Sequence, residues 1–472
     1  MSGMRRLSER EAAARLEEIE RSFDLYGLKL DGWVPWRTVR SVAGLALTGF
    51  AVDVQRKAST RASWLSLMVE VPILLWSLVF ARRRTLLIKT YTSALGEREN
   101  NKLRDIYFDS LIADGLDAFK VQQQNSAREI RRHDMLHPFQ ISQTAIAALA
   151  RVLALLRVRA STFRVARRIA HALQSLPELK LDEVWLARRL ESIRWQARLY
   201  ERLLARVRPR AVLVADAGEY ALNIASKRRA VPFIELQHGI FTENHPDAIP
   251  GWALEKATPS ELLLPDVLGV YGRYWAQRLQ GTAVARQRIV IVGSDVLDRW
   301  RQRRRRLARQ GTSRLEVVVT TQGLERGPLI DWLARVVACA PTAQSWRMVI
   351  KLHPIYDRDP ALYASLTEHP AVEVLGHGSN ASLYDLLVGA DVHASISSAS
   401  HYDSIGLGVP SVIIPLPGSE LVIDLADGHT VFKGDDPAIV WACAMNARRA
   451  SASPNEKFYA EGFVQRLRSA LP

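Results

Sequence analysis

Residues 211–246 read AVLVADAGEYALNIASKRRAVPFIELQHGIFTENHP. AVLVAD is an apolar, β-branched run that ends on a carboxylate and then Gly218. This is how a buried parallel strand meets the loop at its carboxyl end. Glu219 to Arg229 fits one helix, and VPFIELQ is a second short strand stopping at His238-Gly239. Two consecutive β–loop–α units therefore place Asp216, Gly218, Gln237, His238, Gly239 and His245 at strand ends, the edge where open α/β sheets bind ligands. Singly, each is equally a turn residue of a buried sheet. As a set, with its ionisable side chains and glycines, they point to a site.

Working outward, Asp182 to Arg206 is a long amphipathic helix closed by Pro209. Downstream, VLGVYG is a third strand ending at Gly272, Tyr274 to Leu279 a helix, and RIVIVGSDVLD a strand and turn. The charged segment WRQRRRRLARQG (300–311) then separates two strand-rich regions, as domain linkers do. The expected division is an N-terminal domain 1–295, a basic linker 296–313 and a C-terminal domain 314–472. In the second half LEVVVTTQG ends at Gln322-Gly323 and WRMVIKLHP ends at His353-Pro354. AVEVLG follows, and SLYDLLVGADVHASISSASHYDSIGLGVPSVIIP alternates helix and strand. The expected fold is α/β, two Rossmann-like domains facing a cleft, with an extra helical N-terminal region.

The length of 472 residues suits two domains, and 48% apolar with 24% charged residues is ordinary for a globular chain. The charge is not ordinary: 64 Lys+Arg against 49 Asp+Glu leaves +15. An anionic surface or ligand is implied, whether lipid headgroups, nucleotide phosphates or nucleic acid. The arginine run has no interleaved aromatics and no known module around it, so no nucleic-acid partner is expected. Cys339 and Cys443 form neither a metal cluster nor a disulfide framework, which fits a reduced compartment. The start, MSGMRRLSEREAAARLEEIERSF, is charged and helical in pattern and is not a secretory signal.

Trp64 to Phe80 (WLSLMVEVPILLWSLVF) is the most apolar stretch, and Arg82-Arg83-Arg84 follows at once. Its marginal length, with Glu70 and Pro72 inside, predicts a buried or interfacial helix rather than a transmembrane one. Trp64, Trp76 and the arginine triplet suit the inner face of a membrane. Arg151 to His171 reads as one basic amphipathic helix, presenting either a solvated face or a second membrane contact. A cytoplasmic protein docked on the inner membrane face is the expectation.

Three patterns of the second half carry chemistry. In KLHP a strand delivers Lys351 and His353 to its carboxyl end and Pro354 stops it; an imidazole there can donate to a phosphate or leaving group. In SISSAS, Ser397 and Ser398 sit before a helix, where hydroxyls and free N–H groups make either an anion site or a simple cap. In HYDSIGLGVP, Asp403 is placed to accept two ribose hydroxyls.

KLHP followed some forty residues on by ADV–SS–YDSIGLGVP resembles the nucleotide-binding half of GT-B glycosyltransferases. It is most similar to those of bacterial surface-polysaccharide assembly, including capsule and polysialic acid transferases and teichoic-acid polyol-phosphate polymerases. ELQHGIF (235–241) resembles the QHG segment of the capsule-type proteins. The resemblance covers roughly residues 200 to 430 and leaves the first 150 or so unexplained. It implies transfer from a nucleotide-activated sugar, with CMP-sugars favoured, to a growing polysaccharide or lipid-linked glycan acceptor. No cofactor and no metal are implied. Asp216-Ala217-Gly218 matches the motif that carries the base, and His353-Pro354 and Ser397-Ser398 match those that hold the nucleotide phosphate. Lys351 is assigned there too. The families often show two adjacent acids before the glycine. Here Ala215 and Ala217 flank one acid, so His238 competes with Asp216 as the base. Gly218, Gln237, Gly239 and His245 are left to position the acceptor or donor sugar. A sugar-nucleotide epimerase of the same fold and a non-catalytic assembly protein are the alternatives.

Overall fold

The computed structural model describes all residues except 1–6, 49–63, 92–94, 96, 124–130, 177–180, 217, 309–313, 344, 354–355, 377–378, 380 and 451–454. The chain divides into two compact units, residues 1–292 with 464–472, and residues 293–463.

The first unit is built on seven strands: β1 (Leu86–Tyr91), β4 (Ala118–Gln123), β5 (Ile141–Ser142), β6 (Ala211–Val214), β7 (Phe233–Leu236), β8 (Val267–Val270) and β9 (Arg288–Ile291). β2 (Glu97–Glu99) and β3 (Lys102–Arg104) form a separate antiparallel pair. The seven lie in the order β5-β4-β1-β6-β7-β8-β9, all parallel. β6 is AVLV with all four residues buried, as a strand covered on both faces requires. The helix Glu183–Val207 leads into it. Asp182 caps that helix by accepting from the Trp185 N–H at 2.8 Å, and Arg208 ends it in the left-handed conformation (φ 48°) before Pro209.

The strands β1, β4 and β5 come from residues with no counterpart in the resemblance. The N-terminal helices Glu9–Ser22 and Arg37–Leu47 share the same core, to which Tyr26, Trp33 and Trp36 contribute. Glu20, fully buried, accepts from Trp36 Nε1 and Arg40 Nε at 2.7 Å and from the Tyr26 hydroxyl at 3.1 Å. A buried carboxylate needs that many donors.

The second unit has six parallel strands: β10 (Leu315–Thr320), β11 (Trp346–Lys351), β12 (Val372–Leu375), β13 (Val392–Ser395), β14 (Ser411–Ile413) and β15 (Val431–Lys433). Their order is β12-β11-β10-β13-β14-β15.

Two expectations are corrected here. The basic segment is no linker: Asp295–Ala308 is a helix of the second unit. Its Arg301 is buried and donates to the carbonyls of Gly406 and Tyr459, both at 2.7 Å. Arg304 donates to Val388 O at 2.8 Å and Ala390 O at 2.9 Å, closing the end of the helix Leu383–Gly389. Guanidinium groups suit this task because each offers several fixed donors. The second correction is at Arg151–His171, which is two helices, Gln143–Leu156 and Ala160–Leu173. Between them Arg157 is extended, and Arg159 is held by Asp31 at 2.7–2.9 Å.

Arg301→Ala strands two buried carbonyls and should cost about 3 kcal/mol of the second unit's stability. Urea denaturation checks this; a loss within about 0.5 kcal/mol, typical of a surface change, contradicts it.

Candidate functional site

In the second unit β10 is central, the chain moves outward through β11 and β12, and β13 returns to its other side. The reversal falls between β10 and β13, and ligands of such sheets sit at the carboxyl edge there. The loops after these two strands are joined by one side chain. Gln322 Oε1 accepts the Ser397 N–H at 3.0 Å, and Gln322 Nε2 donates to Ser397 Oγ at 3.2 Å. Next to it, Gly323 has φ +72°, and a Cβ there would lie 2.4 Å from the Tyr356 carbonyl, so the loop requires glycine. The His353 N–H donates to Thr321 Oγ1 at 3.3 Å, which brings the β11 loop to the same place.

Beneath lies a buried polar network. His393 Nε2 meets Thr320 Oγ1 and Ser400 Oγ at 3.0 Å, and its Nδ1 meets Ser411 Oγ at 2.8 Å. Ser411 Oγ also meets His401 Nδ1 at 2.7 Å. Burial drives the His393 imidazole well below its usual range and His401 to about 4, so both are neutral links. The network fixes the backbone entering the Ser397–Ser400 turn.

The residues predicted from the sequence fare differently. His353 and Ser397 come to the reversal point, with Ser398 beside them, where its Oγ accepts the Ser400 N–H at 3.2 Å. The His353 ring stacks on Tyr356 at 4.6 Å and its Nδ1 accepts the Tyr356 N–H at 3.1 Å. Burial lowers its pKa, opposed by Asp357. Lys351 instead donates to the Ala381 carbonyl at 2.8 Å, tying down a neighbouring loop. Asp403, expected to accept two ribose hydroxyls, accepts phenol hydroxyls from Tyr459 at 3.1 Å and from Tyr384; burial raises it to about 6. Pro354 lies outside the described residues. Asp357-Arg358-Asp359 has Asp-x-Asp spacing, but both acids are engaged. Asp357 accepts from the Tyr363 hydroxyl at 2.5 Å and from Arg326, and Asp359 caps the following turn.

In the first unit the reversal falls between β1 and β6. Asp216, just past β6, accepts the Gly218 N–H at 2.7 Å. Both line a cavity of about 620 Å³, together with the buried ion pair Lys89–Glu219. Burial raises Glu219, opposed by Lys89. Gln237, His238, Gly239 and His245 line a different cavity of about 200 Å³. Gln237 is a staple there, donating to Gly239 O at 2.9 Å and accepting from the Tyr271 N–H at 3.0 Å. His238 is exposed, and its carbonyl accepts from the Tyr107 hydroxyl at 3.2 Å. His245 Nδ1 accepts the Asp247 N–H at 3.1 Å; burial lowers its pKa, opposed by Asp247.

Glu235 also lines the smaller cavity. Burial raises it to about 8, opposed by Arg37 and aided by Asp247 and Asp216. The sequence held one signal for it, an acid inside the apolar run VPFIELQ. Among the described residues no group of three or more His, Cys, Asp or Glu is placed to hold a metal ion.

The sequence matches no family model and no curated protein. Among solved structures the chain is similar to the UDP-GlcNAc 2-epimerase of Methanocaldococcus jannaschii, at 11% identity, over 82% of this chain and 99% of that one, with a TM-score of 0.50. The fold is GT-B. Two further structures match less closely. They are the UDP-GlcNAc 2-epimerase from Neisseria meningitidis bound to UDP-GlcNAc (12% identity, 82% and 99% covered, TM-score 0.47) and the glycotransferase of kitacinnamycin (14%, 83% and 100%, 0.42). At these identities the likeness is one of fold.

Glu235 gives a pH signature. Its folded pKa lies above the ordinary value of 4.5, so its stabilising contribution is complete below that and is lost as pH rises through about 8. The loss is at most about 1.4 kcal/mol per pH unit. Thermal unfolding of Glu235→Gln should therefore gain on the wild type steadily between about pH 5 and pH 8; parallel curves contradict the assignment.

Proposed function

We propose that the protein is a glycosyltransferase that takes a sugar from a nucleotide-activated donor. The observation that carries this is the Gln322–Ser397 clamp at the strand-order reversal of the second unit, with His353 brought beside it. The clamp consumes the Ser397 N–H, so phosphate recognition falls to the Ser397 and Ser398 hydroxyls and His353. Charge stabilisation of the departing nucleotide is the usual demand on such a site. On the first unit, Asp216 beside the larger cavity is the base for an acceptor hydroxyl. His238 lines the other cavity and is assigned to sugar positioning.

An epimerase acting on a nucleotide-sugar is the second reading, because the M. jannaschii protein of similar fold is named as one. The assay separates them. Incubation with UDP-, CMP- and GDP-sugars should release free nucleotide when an acceptor is present. Inversion at a sugar carbon with the nucleotide still attached supports the epimerase. Asp216→Asn should lower nucleotide release by about two orders of magnitude with donor binding kept. A fully active Asp216→Asn with an inactive His238→Ala moves the base to His238.

The reading includes reversible docking on an anionic membrane. No helix of the described residues is long and apolar enough to cross one. The helix Trp64–Phe80 nevertheless leaves Met68, Trp76 and Phe80 more than half exposed, just before Arg82 and Arg83. An apolar surface rimmed by cations is what an interfacial helix presents. The arginine run adds little to this, being largely committed: Arg301 and Arg304 close carbonyls, and Arg303 and Arg305 pair with Asp385 and Glu461. Protein bound to anionic vesicles should be released by salt, since the cationic contribution is screened beyond a Debye length of about 8–10 Å. Release by detergent alone contradicts peripheral docking.

A further inference from the structure

The cavity that ends at Asp216 has an unusual lining on its solvent side. The helix Glu183–Val207 turns Trp185, Arg188, Arg189 and Ser192 toward it, and the helix Gln143–Leu156 contributes Arg151 and Leu155. Spacings of three, four and seven residues put each set on one helix face. Three guanidinium groups thus share one hollow. Among the described residues no carboxylate pairs with any of them. Arg189 donates to the Thr38 carbonyl at 3.4 Å. Burial lowers its pKa, opposed by Tyr220 and aided by the like charge of Arg151. Positive charge gathered this way, in a cavity of ligand-binding size, is complementary to an anion such as phosphate or diphosphate.

The same rim is apolar. Leu155 lines the cavity yet is exposed, and Val152 and Leu156 beside it are exposed as well, Leu156 by 77%. The helix Trp64–Phe80 packs against this helix and adds the exposed Met68, Val69, Leu75, Trp76, Val79 and Phe80. Trp76 and Phe80 stack at 4.1 Å. Glu70, the acid of that helix, is neutralised by Arg132 in a two-pronged pair at 2.6 and 2.7 Å. An apolar surface of this extent, exposed among the described residues, marks an interaction site.

We propose that this cavity binds an anionic amphiphile, its phosphate or diphosphate head against Arg151, Arg188 and Arg189 and its hydrocarbon chain along the exposed face of the two helices. The buried end of the cavity holds Asp216, Lys89 and Glu219, so a sugar carried on that head lies toward the base. The amphiphile is then the acceptor of the transfer, a role that rests on the transferase reading; the binding site itself does not.

The test uses the full-length protein and three probes: farnesyl diphosphate, inorganic pyrophosphate (head alone) and farnesol (chain alone). Calorimetry should show farnesyl diphosphate binding at least about tenfold more tightly than either half. Arg151→Glu with Arg188→Glu changes two exposed side chains and should weaken that binding about tenfold or more. Pyrophosphate binding equally well makes this a plain anion site, farnesol doing so makes it an apolar groove, and an unchanged double variant places the head elsewhere; each overturns the proposal. Thermal shifts with UDP and CMP on the same samples keep the two ideas apart. Farnesyl diphosphate binding without any nucleotide response removes the transferase reading and leaves the amphiphile site standing. Nucleotide response without amphiphile binding does the reverse.

Discussion

In each sheet a parallel strand laid down first ends up in the middle, and the strands that follow are added to one side and then the other. At the reversal, the two loops leaving adjacent strands must diverge to reach helices on opposite faces, so a gap opens at the carboxyl edge. The Ser397 clamp and the Asp216 cavity stand at those two gaps. In the second unit the gap is bridged by Gln322 and Ser397 over the Thr320–His393–Ser400–Ser411 network. In the first, Asp216 and the Lys89–Glu219 pair stand at it.

The two gaps differ in electrostatic character. The second unit's gap is lined by neutral hydroxyl, amide and imidazole groups, all locked by hydrogen bonds, which suits recognition of an anion without a large desolvation penalty. The first unit's gap contains Glu219, raised by burial against the pull of Lys89, and the separate smaller cavity holds Glu235, raised by burial against the pull of Arg37. Groups with displaced pKa values gather where proton transfer is needed. That division of labour matches a nucleotide held on one unit and a hydroxyl deprotonated on the other.

Much of the frame was legible in the sequence because buried parallel strands are short β-branched runs that end abruptly. AVLV, VVVT and VHAS each stop at the residues later found at the edge. What failed to read were side chains whose partners lie far along the chain. The arginine run looks like a solvated linker until Arg301 is seen closing carbonyls 105 and 158 residues away. Asp403 has the position of a ribose acceptor, and only folding brings Tyr459 to it. Glu235 hides inside an apolar strand. The N-terminal strands and helices carry no motif, yet Trp33, Trp36 and Glu20 build them into the first unit's core.

The central claim is that the Gln322–Ser397 gap is the nucleotide site. Backbone hydrogen exchange with and without a bound nucleotide or nucleotide-sugar tests it most directly, because it reads each loop separately. Slower exchange in the peptides spanning 320–323 and 396–401 on ligand addition is the result this account predicts. Protection confined to the first unit, with both of those loops unchanged, would contradict it.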